Sequence, residues 1–168
     1  MSEKAITLRP HRIGDIGWII YRHAVLYAKE YGFNEQFEAL VGQSASRFLR
    51  DYDPEWERCW IAEMDGKFIG CIFLMKDLEA ENIGRLRNFL VEPEARGKGL
   101  GRRLIQECIN FAMLVGYQKI ILWTNDVLHA ARHLYEDFGF RLIHEEPIEL
   151  LGPKGIAQTW EKDLVTNT

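Results

Sequence analysis

Cysteine is scarce in this 168-residue chain, which has three, at Cys59, Cys71 and Cys108. An odd, scattered set with no C-x-x-C pair excludes a disulfide framework and offers no zinc or dithiol motif, so no metal is expected. Thiols without partners point to a reducing, cytoplasmic setting. Long apolar runs are missing too. The longest, such as Cys71–Met75 and Phe111–Val115, fall far short of the roughly 20 residues of a membrane span. Met1–Pro10 carries charges where a signal peptide would have its apolar core. No membrane partner is therefore expected. With no linker, repeat or low-complexity stretch, the chain reads as a single domain, residues 1–168. Cationic charge is also in deficit, 21 Lys and Arg against 25 Asp and Glu, for a formal net charge of −4. A general nucleic-acid binder would carry a broad basic face, so nucleic acid is not the expected partner.

The positive charge that exists is concentrated. Arg96, Lys98, Arg102 and Arg103 lie within eight residues that hold no acid, which leaves the other 160 at −8. Gly97, Gly99 and Gly101 interleave them.

Hydrophobic periodicity gives the element order. Ala5–Arg9 reads as a strand stopped by Pro10. Asp15 is the expected N-cap of a helix whose inner face is Ile16, Ile19, Ile20, His23, Leu26 and Tyr27, ending at Gly32. A second helix is predicted over about Asn34–Arg50, with Phe37, Leu40, Val41, Phe48 and Leu49 facing inward. Strands Cys59–Met64 and Lys67–Met75 flank Asp65-Gly66, a two-residue type I′ hairpin signal. A strand over Asn82–Val91 runs into the glycine loop and a helix striped by Leu100, Leu104, Cys108, Ala112 and Val115. Then follow a strand (Lys119–Trp123), a helix (Val127–Phe138) and two last strands (Phe140–His144, Ala157–Asp163). The order β-α-α-β-β-β-α-β-α-β-β predicts an α/β (α+β) domain, a mixed sheet with helices on both faces.

The glycine loop sits between a strand and a helix. A helix N-terminus offers unpaired N–H groups and partial positive charge, and glycine lets an anion approach the backbone, so phosphate is its natural ligand. A P-loop fails because Gly97-Lys98 is followed by Gly99, and the dinucleotide fingerprint fails because its third glycine would be Arg102. What fits is Arg-x-x-Gly-x-Gly at Arg96, Gly99 and Gly101. This segment resembles the coenzyme A diphosphate loop of the GNAT N-acetyltransferase family. Leu90-Val91-Glu92-Pro93-Glu94-Ala95 and Leu134-Tyr135-Glu136-Asp137-Phe138-Gly139-Phe140 are similar to that family as well. Within it, His23…Tyr27…Tyr31-Gly32, Asn88-Phe89-Leu90-Val91 and Leu122-Trp123-Thr124-Asn125 resemble the acetyltransferase half of MarR–acetyltransferase fusions, with no room here for the fused DNA-binding domain.

The resemblance implies a mixed, mostly antiparallel sheet of about seven strands. It also implies an acetyl-CoA-dependent N-acetyltransferase acting on an amine of a small molecule or a protein. The pantetheine arm would lie along Phe89, Leu90 and Val91, in a splay between two parallel strands, with Val91 N–H as the oxyanion donor. The diphosphate would sit on Arg96, Gly97, Lys98, Gly99, Leu100, Gly101 and Arg102, whose basic knot is about the charge needed to oppose the cofactor's phosphates. Tyr135 would protonate the leaving thiolate as general acid. Asn125 stands in for the family's cofactor-binding asparagine, which the spacing would put at Leu128; its alternative role is helix capping, with Asp126 as rival. The glutamate of the histone-modifying members falls on Arg85, so no base is carried over, and Glu79, Glu81, Glu92 and His23 remain candidates. His23 and Tyr27 would line the acceptor pocket, and a homodimer stays open. Trp56 and Trp60 are candidate rim residues. The acidic balance outside the loop points to a cationic acceptor. The competing class is a non-catalytic acyl-CoA-binding module.

Overall fold

The computed structural model describes residues 4–164. One seven-stranded sheet runs in the order β1-β2-β3-β4-β5-β7-β6. Its strands are β1 (Ile6–Pro10), β2 (Arg58–Met64), β3 (Lys67–Lys76), β4 (Ile83–Val91), β5 (Lys119–Asn125), β6 (Arg141–Ile148) and β7 (Gly155–Asp163). Every neighbouring pair is antiparallel except β4 and β5, which the crossover through helix α3 (Leu100–Val115) makes parallel. Helices α1 (Asp15–Tyr31) and α2 (Glu35–Arg50) lie over one face. There Ile19, Leu26 and Phe48 pack on Ile61, Cys71, Phe73 and Leu90. On the other face Leu104, Cys108 and Ala112 of α3 pack on Ile72, Leu74 and Leu86, and Tyr135 of α4 (His129–Asp137) joins them. The element order is thus the one expected, with helices on both faces.

Local chemistry explains most boundaries. Asp65 and Gly66 both take positive φ, 54° and 73°, as a type I′ turn demands. Asn34 caps α2 by accepting the Gln36 N–H. Asp15 does not cap α1 as expected. Gly14 holds the cap position, and the Asp15 carboxylate instead accepts from Arg12 N–H and the Arg9 guanidinium. Leu40 and Leu49 are also not core residues; Ala45 takes the inner position, and Leu49 is 52% exposed. Helical spacing allows either stripe, and the packing against β3 selects the one through Phe37, Val41, Ala45 and Phe48.

The feature that positions the site is an irregularity in β4. Cys71 stands opposite Leu90 but Phe73 stands opposite Arg87, so Asn88 and Phe89 together face the single residue Ile72. Asn88 has φ 50°, a left-handed backbone that Asn tolerates better than most side chains. Its side-chain amide and carbonyl are tied to the Ser44 hydroxyl on α2 at 3.0 and 3.2 Å. This bulge bends β4. Its pairing with β5 covers only Ile83–Leu86 against Lys119–Leu122, and beyond that point the two parallel strands part.

Asn88→Ala should therefore cost about 1–3 kcal/mol in urea unfolding, through the lost Ser44 bonds and left-handed strain. Asn88→Gly, which relieves the strain, should cost measurably less. Equal losses would remove the backbone part of this account.

Candidate active site

The loop after β4 begins with a single 3-10 turn, Pro93–Ala95. Gly97 and Gly99 then both adopt φ +77°, and no heavy atom lies within 4 Å of where a Cβ would stand on either. Their outer faces are open to a ligand. Gly101 is different: a Cβ there would meet Leu134 Cδ1 at 2.8 Å, so this glycine lets α3 approach α4. The first amide of the loop to reach a helical carbonyl is Arg103, bonded to Gly99. The N–H groups of Leu100, Gly101 and Arg102 precede it and lack a carbonyl one turn back. Backbone donors, open glycines and a 16-residue helix form an anion cradle of the right type for a diphosphate.

The side-chain charges are arranged less generously than the sequence suggests. Arg96 is bound to Glu30 of α1 at 2.7 Å, and Arg102 to Asp137 of α4. Arg103 turns to the Ile6 carbonyl of β1. Lys98 has no carboxylate partner among the described residues; its Nζ lies 4.0 Å from the Met64 sulfur. The knot of four positive charges is thus half-neutralised by acids distant in sequence.

Beside the loop, the parted strands open a cavity of about 500 Å³. Glu92 N–H bonds to the Ile69 carbonyl of β3. By strand alternation the Leu90 amide group also faces β3, while those of Phe89 and Val91 face the gap left by β5. Leu90 is therefore core (1% exposed) and turned away from the gap, unlike the reading that put all three residues along the pantetheine arm. Leu100 is likewise buried and offers only its backbone. The Phe89 carbonyl accepts the Tyr27 hydroxyl at 3.2 Å. Tyr27 stacks on Phe37, with centroids 4.9 Å apart and planes 8° apart. Tyr135, His23 and Tyr27 all line the cavity, so the three residues singled out from sequence meet in one place. Tyr135 is buried among Phe89, Phe140 and Trp160, and burial pushes its phenol above the ordinary tyrosine range, so it is protonated at neutral pH.

Asn125 also lines the cavity, while its Oδ1 accepts the Val127 N–H and shapes the turn into α4. Asp126 accepts the Ile156 N–H, so neither caps α4, whose N-cap is Leu128. Trp56 packs on Tyr117, and Trp60 is buried against Phe111. Neither lines the cavity.

Four residues were candidate bases. Glu79 and Glu81 are exposed in the β3–β4 turn. Glu92 is 5% exposed but held by both nitrogens of a fork from Arg22, at 2.7 and 2.8 Å, away from the cavity. No aspartate or glutamate among the described residues lines the cavity. His23 does: its Nδ1 is 2.8 Å from the Ile19 carbonyl, and its Nε2 has no partner among the described residues. Burial lowers its pKa to about 4, so the ring is neutral at physiological pH. With Nδ1 donating to Ile19, Nε2 is the unprotonated nitrogen and is itself buried.

Comparison with known proteins agrees with this geometry. Residues 32–140 match the model of the Acetyltransferase (GNAT) family. The chain belongs to the GNAT acetyltransferase family. Over 82 residues, 49% of the chain, it is 39% identical to an N-acetylaspartate synthetase of Xenopus tropicalis, covering 30% of that protein. It is 33% identical over 127 residues, 70% of the chain, to camello, described as a probable N-acetyltransferase, also of Xenopus tropicalis, covering 56% of it. The chain thus spans 30% of the first of these curated relatives and 56% of the second. In fold it is similar to yncA of Salmonella typhimurium, solved with its cofactor acetyl-CoA, with a TM-score of 0.73, 20% identity and coverage of 98% and 96% of the two chains. The seven-stranded sheet with four helices is the GNAT fold. No helix among the described residues is long and apolar enough to cross a membrane.

Residues the sequence reading did not single out for the site are Ser44, Arg47, Arg87 and Asn88, all in the cavity wall. Only Asn in the middle of a strand offered a signal, since it disfavours strands and accepts left-handed backbone.

The buried His23 gives a pH prediction. Its folded pKa lies below the ordinary 6.5, so as pH falls from about 6.5 to 4 the unfolded chain takes the proton first and stability declines, by on the order of a few kcal/mol. A thermal-melt series should show this loss in the wild-type chain and a shallower one in His23→Gln over the same window. Parallel pH curves would contradict the assignment.

Proposed function

We propose that this chain, as a single domain over residues 1–168, is an acetyl-CoA-dependent N-acetyltransferase in which Tyr135 is the general acid. The observation that carries the reading is the parting of β4 and β5 beyond Leu86 and Leu122, beside a cavity that Tyr135 lines and on the strand that runs into the open glycine loop. The loop's free N–H groups, with Lys98, hold the diphosphate. Val91 presents its N–H and carbonyl to the gap, where an extended pantetheine amide adds as a strand would. When bound, acetyl-CoA supplies the acetyl thioester. Val91 N–H is the donor that stabilises charge on the thioester oxygen as the acceptor nitrogen attacks. The C–N bond forms, the C–S bond breaks, Tyr135 gives its proton to the departing sulfur, and the proton that the acylated nitrogen loses returns to the Tyr135 phenolate.

The acceptor must react as a neutral amine, yet no carboxylate among the described residues lines the cavity to take its proton. Desolvation in a partly dry cavity disfavours the ammonium form, so that proton is released to solvent before the attack.

The kinship with the acetyltransferase half of MarR fusions rests on the motifs at His23–Gly32 and Leu122–Asn125. We place the protein in the cytoplasm on its three buried free thiols. A cavity without a carboxylate base also favours a second reading, an acyl-CoA-binding module without turnover. Free-thiol release across a panel of amines separates the two.

Tyr135→Phe should lower kcat by about 10²-fold while leaving the acetyl-CoA KM near wild type. Lys98→Ala should do the reverse, raising that KM several-fold with kcat little changed. Full turnover in Tyr135→Phe would eliminate the acid role.

A further inference from the structure

The wall of the cavity formed by α2 and β4 carries an unbalanced charge. Arg85 and Arg87 lie two apart on β4 and so share a face of the sheet; Arg87 stands opposite Phe73, which packs toward α1 and α2. Arg47 of α2 comes down beside them. Arg85 is neutralised by Asp77 at 2.6 Å, and neighbouring Lys76 by Asp53 at 3.0 Å. Arg47 and Arg87 have no carboxylate partner among the described residues. Arg47 reaches only the Lys76 carbonyl, at 3.3 Å, and the Nε of Arg87 is buried with no acceptor. Desolvation and the charges of Arg85 and Arg47 push the Arg87 pKa down, opposed only by the charge of Asp77, which is bound to Arg85. Both free arginines line the same cavity as His23 and Tyr135. Ser44 and Asn88 are also in its wall, hydrogen-bonded to each other.

A half-buried guanidinium without a counter-ion is costly, and its planar fork matches a carboxylate through two parallel bonds. The gap and the loop already account for the thioester arm and the phosphates, so the missing anion belongs to the other substrate. We propose that Arg87, assisted by Arg47, binds a carboxylate of the acceptor, which is an amino acid or another amine bearing a carboxylate. Polyamines and lysine side chains are the wrong class for this wall, contrary to the cationic acceptor that the acidic net charge suggests. The inference rests on the transferase reading above and specifies its acceptor.

The test pairs free amino acids (glycine, alanine, aspartate, phenylalanine) with their amides, alongside spermidine, using thiol release with acetyl-CoA. Calorimetric titration of the same ligands into the protein–CoA complex gives a second readout. At least one free acid should exceed its amide by about tenfold or more in kcat/KM, and should be the only member of the pair to give measurable heat. Arg87→Gln should bring that ratio close to one, and Arg87→Lys, which keeps the charge but not the fork, should leave it intermediate. If Arg87→Gln fails to fold, Arg47→Gln should still reduce the ratio. Equal use of acids and amides by the wild-type chain, a preference for spermidine, or an unchanged ratio in the variants would overturn the proposal. Turnover of amides alone defeats this inference while sparing the transferase reading. Binding of acids with no turnover of any amine defeats the transferase reading and sustains the carboxylate site.

Discussion

One backbone conformation sets the rest of the site. Asn88 sits at φ 50° in the middle of a strand, with Ser44 holding its side chain. The extra residue bends β4 away from β5 after four paired positions. Without that bend the parallel ladder would continue, and the amide groups of Phe89 and Val91 would bond to β5. With it, they face a gap that opens into the cavity lined by Tyr135, on the strand that leads into the glycine loop. Both flanking layers are needed to hold the gap open. Helix α1 braces Phe89 through Tyr27, and α4 comes close to α3 because Gly101 has no side chain.

Charge is distributed with the same economy. Acids far away in sequence, Glu30 and Asp137, cancel half of the basic loop, so the helix end and its free N–H groups form the core of the anion cradle. The buried acid Glu92 is answered by Arg22 outside the cavity. Inside it, desolvation keeps Tyr135 protonated and His23 neutral, and the uncompensated charges are arginines. A cavity with donors and, among the described residues, no carboxylate suits an uncharged nucleophile held by an anionic handle.

Much of this was legible in the order of residues. Period-two and helical patterns, the Asp65-Gly66 turn and the Arg96-x-x-Gly99-x-Gly101 spacing are local, and local chemistry decides them. What was not legible is decided by contacts across the chain. Glu30 lies 66 residues from Arg96, and no pattern links them. The choice of Ala45 over Leu49 for the core depends on where α2 lands on β3. The backbone side of Leu90 depends on the bulge two residues earlier, which reverses the alternation of the strand. Net charge is a poor guide to the acceptor because it averages over the surface, whereas the cavity samples only its own wall.

The central claim is that Val91 presents an unpaired amide to a gap that the cofactor fills as a strand. Residue-resolved amide hydrogen exchange, with and without coenzyme A, tests it most directly. The account predicts that Val91 exchanges fast in the free protein while Leu90 and Glu92, bonded to β3, exchange slowly. Coenzyme A should then slow Val91 by an order of magnitude or more and leave its two neighbours little changed. A Val91 amide already protected in the free protein, or one that coenzyme A does not slow, would contradict it.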